Sequence, residues 1–180
     1  MLKNDMSEIL VSEEQLQETI KKLGATLAED YRGKDPIVIC ILKGAIFFMA
    51  DLVRAMDCNL EIDFMDVSSY GNEFESSGEV RILKDLGQSV KDRHVIIVED
   101  IIDTGRTLKH VVELLKHRQA ASVKVVALLD KPERREEAIE ADYVGVQVPN
   151  KFVVGYGLDF KQFYRNLPCI GVLKPEFYED

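Results

Sequence analysis

No apolar run in this sequence reaches the roughly 18 residues that a membrane-spanning helix needs. The first residues, Met1-Leu2-Lys3-Asn4-Asp5-Met6-Ser7-Glu8, lack the apolar core of a secretory signal. The two absences together lead us to expect a cytosolic protein that does not engage membranes. Cysteine is scarce: Cys40, Cys58 and Cys169 are odd in number, lie in or beside apolar runs and are not spaced as a zinc site. They read as small buried thiols in a reducing compartment. Positive charge is in deficit, with 23 Lys and Arg against 32 Asp and Glu, a net charge of −9. That argues against sequence-independent attraction to nucleic acid or to an anionic surface. Any phosphate must therefore be held in a local pocket. The histidines, His94, His110 and His117, are not at metal-ligand spacing, and we assign them no catalysis.

What is present is enough for one domain over residues 1–180, with 46% hydrophobic residues and no repeat or low-complexity linker. Residues 12–31 read as a helix. Ser12 and Gln15 form a capping box, Leu16, Ile20, Leu23 and Leu27 make one apolar face, and Gly33 stops it. Residues 37–42 are an unbroken apolar run, as in a strand buried on both faces. Lys43-Gly44 breaks that run, and a helix is expected over 45–56. A strand over 60–69, a polar loop over 70–78 and a returning strand from Val80 predict a hairpin-like flap. A helix is marked by Leu108, Val111, Val112, Leu114 and Leu115. Strands follow at 123–129 and 143–148, with a short charged helix or turn over 134–141 between them. Strands alternating with helices imply a mainly parallel central sheet flanked by helices, an α/β fold. The chain ends, about 1–11 and 152–180, do not fit the alternation and are expected to form a small hood lobe over the sheet, beside a flap at about 69–80.

The organising stretch is Val95-Ile96-Ile97-Val98-Glu99-Asp100-Ile101-Ile102-Asp103-Thr104-Gly105-Arg106-Thr107. It reads as a buried strand, then acids where the strand should end, then a small polar turn into a helix. Polar groups at the carboxyl end of a sheet strand stand where open α/β folds bind ligands. Glu99 and Asp100 suit two neighbouring sugar hydroxyls or a divalent cation, or form a solvated acidic loop. Asp103 suits acid–base work. Thr104-Gly105-Arg106-Thr107 opens a helix, whose free N–H groups form either an anion site or a plain cap. Gly105 allows a phosphate to approach the backbone closely. Acids for a ribose beside a cup for its phosphate make a ribose-phosphate site.

The same stretch resembles the phosphoribosyl-pyrophosphate (PRPP) signature of the phosphoribosyltransferases. The resemblance extends over nearly the whole chain to the bacterial hypoxanthine-guanine members of that family, with the type I fold. It is carried also by Leu42-Lys43-Gly44, Ser68-Ser69-Tyr70-Gly71, Ser76-Ser77-Gly78, Arg81-Ile82-Leu83-Lys84-Asp85, Leu129-Asp130-Lys131-Pro132 and Lys151-Phe152-Val153-Val154-Gly155-Tyr156-Gly157-Leu158-Asp159.

The resemblance implies a purine salvage enzyme. Hypoxanthine or guanine attacks C1 of PRPP, giving IMP or GMP and pyrophosphate, with magnesium as cofactor. It implies that Glu99 and Asp100 hold the ribose hydroxyls and, with Asp159, the metal, and that Asp103 exchanges a proton with purine N7. Residues 103–107 (Asp103, Thr104, Gly105, Arg106, Thr107) would take the 5′-phosphate. Lys43, Gly44 and Arg165 would grip pyrophosphate; the Lys43-Gly44 peptide is often cis in the family. Lys131 would donate to the 6-oxo group, Phe152 would stack on the base and the Val153 carbonyl would accept from it, with Asp159 close by. Ser69 and Tyr70 would close the flap. Glu73 and Glu75 make the flap more acidic than in relatives and are expected to face outward. Asp51 and Asp66 are left structural. A homodimer or homotetramer is implied.

Two rivals remain on the residues alone. A non-catalytic PRPP-sensing regulator on the same fold should show a basic face, which the net charge opposes. A phosphoacceptor domain needs an acidic pair after its first strand, where this chain has Lys43-Gly44.

Overall fold

The computed structural model describes residues 2–69 and 80–178. The expected flap loop, with Tyr70, Glu73, Glu75 and Ser76-Ser77-Gly78, lies outside the described residues. The strands that flank it are β3 (Glu61–Ser69) and β4 (Val80–Lys84), which pair antiparallel with Ser69 opposite Val80.

A six-stranded sheet runs in the order β4, β3, β2 (Ile37–Leu42), β5 (His94–Ile102), β6 (Ser122–Asp130), β7 (Tyr143–Gln147). All neighbours except β3 and β4 pair in parallel. The apolar runs of β2 and β5 hold the middle because a central parallel strand is covered on both faces. Ile37 to Cys40 and Val95 to Val98 have no exposed surface. Their side chains alternate between two cores. Val38, Cys40, Ile96 and Val98 pack with α1 (Glu13–Asp30) and α2 (Ile46–Ala55). Ile37, Ile39, Val95 and Ile97 pack with Leu108, Val111 and Leu115 of α3 (Arg106–His117).

The capping box of α1 forms as expected: Gln15 N–H donates to Ser12 Oγ at 3.2 Å, and Gln15 Oε1 accepts from Ser12 N–H at 2.8 Å. Its end comes earlier than Gly33, at a cap on Tyr31, and Gly33 follows in a turn with φ +73°. Two other expectations need correction. Glu99 and Asp100 do not follow the end of β5 but lie within it, and only Asp103 comes after it. The strand continues to Ile102 because β6 partners it throughout, with Glu99 opposite Ala127 and Ile102 opposite Asp130. Of the short helix or turn expected over residues 134–141, the helix is absent; a 3-10 turn covers Pro132–Arg134, and the rest is irregular.

The two chain ends meet in a second sheet. β1 (Met6–Val11) pairs antiparallel with β9 (Ile170–Leu173), which pairs antiparallel with β8 (Val153–Val154). Val11, Val153, Ile170 and Val172 join the main core, whereas Met6, Val154 and Leu173 form a separate cluster on the other face of this small sheet. Cys40 and Cys169 are buried and Cys58 is partly so; none of the three forms a disulfide.

Candidate functional site

β2 and β5 are neighbours, but their crossovers leave in opposite directions: β2 leads through α2 to β3, and β5 through α3 to β6. Such a switch point leaves a crevice at the strands' carboxyl ends, where α/β sheets bind ligands. Lys43-Gly44 follows β2 and Asp103-Thr104-Gly105 follows β5, so the topology brings them together.

Successive residues of a strand point to opposite faces, and this separates Glu99 from Asp100. Glu99 is 8% exposed and lines a cavity of about 220 Å³ with Asp103, Thr104, Gly105 and Thr107. Asp100 points the other way, to the loop after β2. A β-carbon on Gly44 would lie 1.7 Å from its Oδ2. Burial pushes the Glu99 carboxyl well up from the usual carboxylate range, helped by the neighbouring Asp100 charge. Burial also lifts Asp100, to about 6, against the Ile101 N–H bond and Arg165, which favour the charged form. A ribose or cation site on these acids thus starts from carboxyls that hold their protons more tightly than usual.

The hood meets the crevice through the turn after β8. A β-carbon on Gly157, which has φ +101°, would stand 1.9 Å from the Gly44 carbonyl oxygen. Arg165 is fixed beside it by donating to the Gly157 carbonyl at 2.6 Å and to Gln162 Oε1 at 3.2 Å, and by an ion pair with Asp159 at 2.8 Å. Lys43 Nζ donates to the same Gln162 oxygen at 3.4 Å. Lys43, Gly44 and Arg165 are therefore brought together. The cis peptide falls one bond earlier than expected, at Leu42–Lys43. Tyr156 donates from its hydroxyl to Asp51 of α2 and so ties the turn to the main core. Burial and that carboxylate push its phenol well up.

On the opposite side, Asp103 Oδ1 is a buried atom with no hydrogen-bond partner. Arg134 Nε lies 3.0 Å from it but is out of line for a hydrogen bond. Lys131 is 7% exposed, and its Nζ donates to the Lys151 carbonyl at 3.0 Å. Burial lowers the Lys131 pKa, with the Asp103 charge opposing. Lys151 precedes Phe152, a residue 39% exposed, so this bond ties Lys131 to the segment that carries that aromatic side chain. Val153, buried in β8, is next in the chain.

Gly105 caps α3 in the left-handed region at φ +84° and offers the first turn no side-chain cap; Thr104 Oγ1 accepts only a long bond, 3.4 Å, from Arg106 N–H. The space beside Gly105 holds Ile139, whose Cγ2 a β-carbon would meet at 2.6 Å. Its lack of a side chain therefore admits the 132–141 loop, rather than only a phosphate. Arg106 is engaged outward with Glu136.

Among the described residues, no group of three or more His, Cys, Asp or Glu forms a metal site. Glu99, Asp100 and Asp159 thus do not converge as one set, because Glu99 faces away from Asp100. A hollow of about 750 Å³ lies away from these groups, between the 132–141 loop and the edge strand β7.

Sequence reasoning missed Arg134, Arg135 and Gln162. Arg135 donates to the Asp103 carbonyl at 3.1 Å and to the Ile139 carbonyl at 2.6 Å, and pairs with Asp130. The Glu136 and Glu137 N–H groups donate to the Thr104 carbonyl at 3.0 and 3.1 Å. No local pattern signals these contacts. Position after the Asp130-Lys131-Pro132 strand end was the only available hint.

A mainly parallel sheet bearing acids and an uncapped helix start at its switch point, beside a small sheet made by the chain ends, is the arrangement of a ribose-phosphate transferase. The phosphoribosyl transferase domain matches residues 7–161, and the chain belongs to that family. Within it, the resemblance is to the hypoxanthine-guanine phosphoribosyltransferases. The Bacillus subtilis hypoxanthine-guanine phosphoribosyltransferase is 56% identical over 99% of both chains. The crystal structure of a Staphylococcus aureus hypoxanthine phosphoribosyltransferase superposes with a TM-score of 0.97 at 54% identity, covering 99% of this chain and 97% of that one. The Listeria innocua bifunctional protein TilS/HprT is 60% identical over 98% of this chain, which spans 27% of that protein's length.

Proposed function

We propose that the chain transfers the 5-phosphoribosyl group of PRPP to hypoxanthine or guanine, giving IMP or GMP and pyrophosphate. One observation carries this reading: the Asp103 carboxylate, faced by Arg134 at 3.0 Å and with no hydrogen bond at its Oδ1, stands between the uncapped start of α3 and the buried Lys131. A carboxylate oxygen that is ion-paired but makes no hydrogen bond is free to accept one from a bound ligand. A purine bound with its 6-oxo group toward Lys131 would bring N7 to Asp103.

In the reaction the base nitrogen bonds to C1 while the C1–oxygen bond breaks and pyrophosphate leaves with the electron pair. Asp103 takes the proton from N7. Lys43, Gly44 and Arg165 stabilise the charge that grows on the leaving group, which is differential binding to the transition state. Residues 103–107 hold the 5′-phosphate, and Glu99 and Asp100 hold the ribose hydroxyls. Asp100 and Asp159 lie on the Arg165 side and fit magnesium, which usually takes one or two carboxylates with substrate oxygens and water. A magnesium ion held there would supply positive charge beside the leaving pyrophosphate. Ser69 and Tyr70 would close over the site and exclude water.

We infer a cytosolic enzyme; three cysteines outside any disulfide support that, and among the described residues no helix is long and apolar enough to cross a membrane. Exposed Ile46, Phe47, Ile62 and Leu83 support assembly as a dimer or tetramer. The deciding assay mixes the protein with PRPP, magnesium and each of hypoxanthine, guanine and adenine. Pyrophosphate and the matching monophosphate should form with the first two alone. Binding of PRPP with no turnover on any base would replace this reading with the sensor.

A further inference from the structure

The reading above leaves the last aromatic of the described chain without a task. The Tyr178 ring lies flat on Phe152, with centroids 4.8 Å apart and planes 24° from parallel. Phe160 meets Phe152 edge-on, at 5.8 Å and 88°. Tyr178 is anchored independently of any ligand. Its N–H donates to the Pro175 carbonyl at 3.0 Å, Lys174 N–H to the Asp5 carbonyl at 3.0 Å, and Leu173 N–H to the Phe152 carbonyl at 3.0 Å. It packs against Met6, Val154 and Leu173, the face of the small sheet turned away from the main core.

We propose that Tyr178 is a positioning residue for the purine. It backs one face of Phe152 so that the ring offers its other face as a fixed plane, giving a stack of base, Phe152 and Tyr178. The proposal rests on the reading that Phe152 stacks on the base. A ring held by a neighbour has already lost the rotational freedom that binding would otherwise remove, so affinity gains without a new contact to the ligand. The opposing arrangement, Tyr178 filling the place of the base and leaving when it arrives, predicts the opposite effect on base affinity.

The test is steady-state kinetics on Tyr178→Ala, Tyr178→Leu and Tyr178→Phe with hypoxanthine and guanine, together with calorimetric titration of GMP and of ribose 5-phosphate. The Ala and Leu variants should raise KM for both bases by about three- to tenfold, the range for one aromatic stack. They should leave kcat and the KM for PRPP unchanged. GMP binding should weaken while ribose 5-phosphate binding holds, and the Phe variant should match the parent. Unchanged or lowered base KM in the Ala variant overturns the proposal. So does a Leu variant that behaves as the parent, or a joint loss of kcat and PRPP affinity, either of which marks general packing of the hood. A parent protein that binds neither GMP nor ribose 5-phosphate overturns the reading of the whole site; the variant results bear on Tyr178 alone.

Discussion

Asp100 fills the space that a side chain would take at Gly44. A β-carbon there would lie 1.7 Å from Oδ2 and 2.6 Å from Cγ. The loop after β2 and the acid of β5 therefore fit together only while position 44 is glycine. Gly44→Ala must displace the carboxylate or the loop, and both are assigned to PRPP. We expect a loss of kcat/KM for PRPP on the order of 10²-fold, the effect of misplacing binding groups by about 1 Å. Far-UV circular dichroism should stay that of the parent. Kinetics indistinguishable from the parent would refute the assigned role of this contact.

Asp103→Asn keeps the size of the side chain and removes its ability to take a proton. We expect kcat to fall by about 10²–10⁴, the usual worth of general acid–base help. PRPP binding, measured by calorimetry, should be largely retained. Equal turnover in variant and parent would remove Asp103 from the chemistry.

Lys131 is a buried donor that suits a 6-oxo acceptor and meets a second donor in adenine's 6-amino group. An unpaired buried donor is what rejects a wrong substrate strongly, on the order of 10⁴-fold in kcat/KM. Adenine should therefore be excluded to that extent. Lys131→Met should narrow the gap chiefly by weakening hypoxanthine and guanine, as read from competition between bases.

The Asp100 carboxyl is raised to about 6 from an ordinary 3.8, with burial the main cause. A raised folded-state value means that the folded protein binds the proton more tightly. The stability from this group is then full below about 4 and is lost as pH rises through about 6. In EDTA and without substrate, Asp100→Asn should melt above the parent at pH 7.5, since no buried charge remains, and the gap should close below pH 5. A melting difference that does not vary with pH would contradict this account.

The thiols should separate by environment. Burial, with the Glu99 and Asp100 charges, pushes Cys40 up to about 12, so its thiolate is scarce and shielded. Iodoacetamide on the native protein should label Cys58, the only one of the three thiols that is not buried, and reach Cys40 and Cys169 after denaturation. Peptide mass mapping checks the order.

Much of the site was legible because its parts are contiguous. Residues 95–107 carry strand, acids and anion cup in one stretch, and residues 151–159 carry Phe152, Val153 and Asp159 in another. The end of β5 was misjudged because a carboxylate in sequence looks like a strand end. The strand runs on because β6 lies alongside, and its pairing is invisible to local pattern. The charge pattern of residues 134–141 allows a short helix or a turn, and the choice is made by Arg135 and the Thr104 carbonyl, groups outside any local period.

What the sequence determined by itself is what neighbouring residues settle among themselves: the Ser12 and Gln15 cap, the doubly buried runs of β2 and β5, the apolar face of α3, and the order of motifs along the chain. The tertiary structure decided which of those motifs share a surface. It set Glu99 and Asp100 on opposite faces, fitted Gly44 between Asp100 and Gly157, bonded Lys131 to the Lys151 carbonyl, and laid Tyr178 on Phe152. Each of those relations joins separate segments or depends on which face a strand turns to which core, and only burial of the whole chain fixes both.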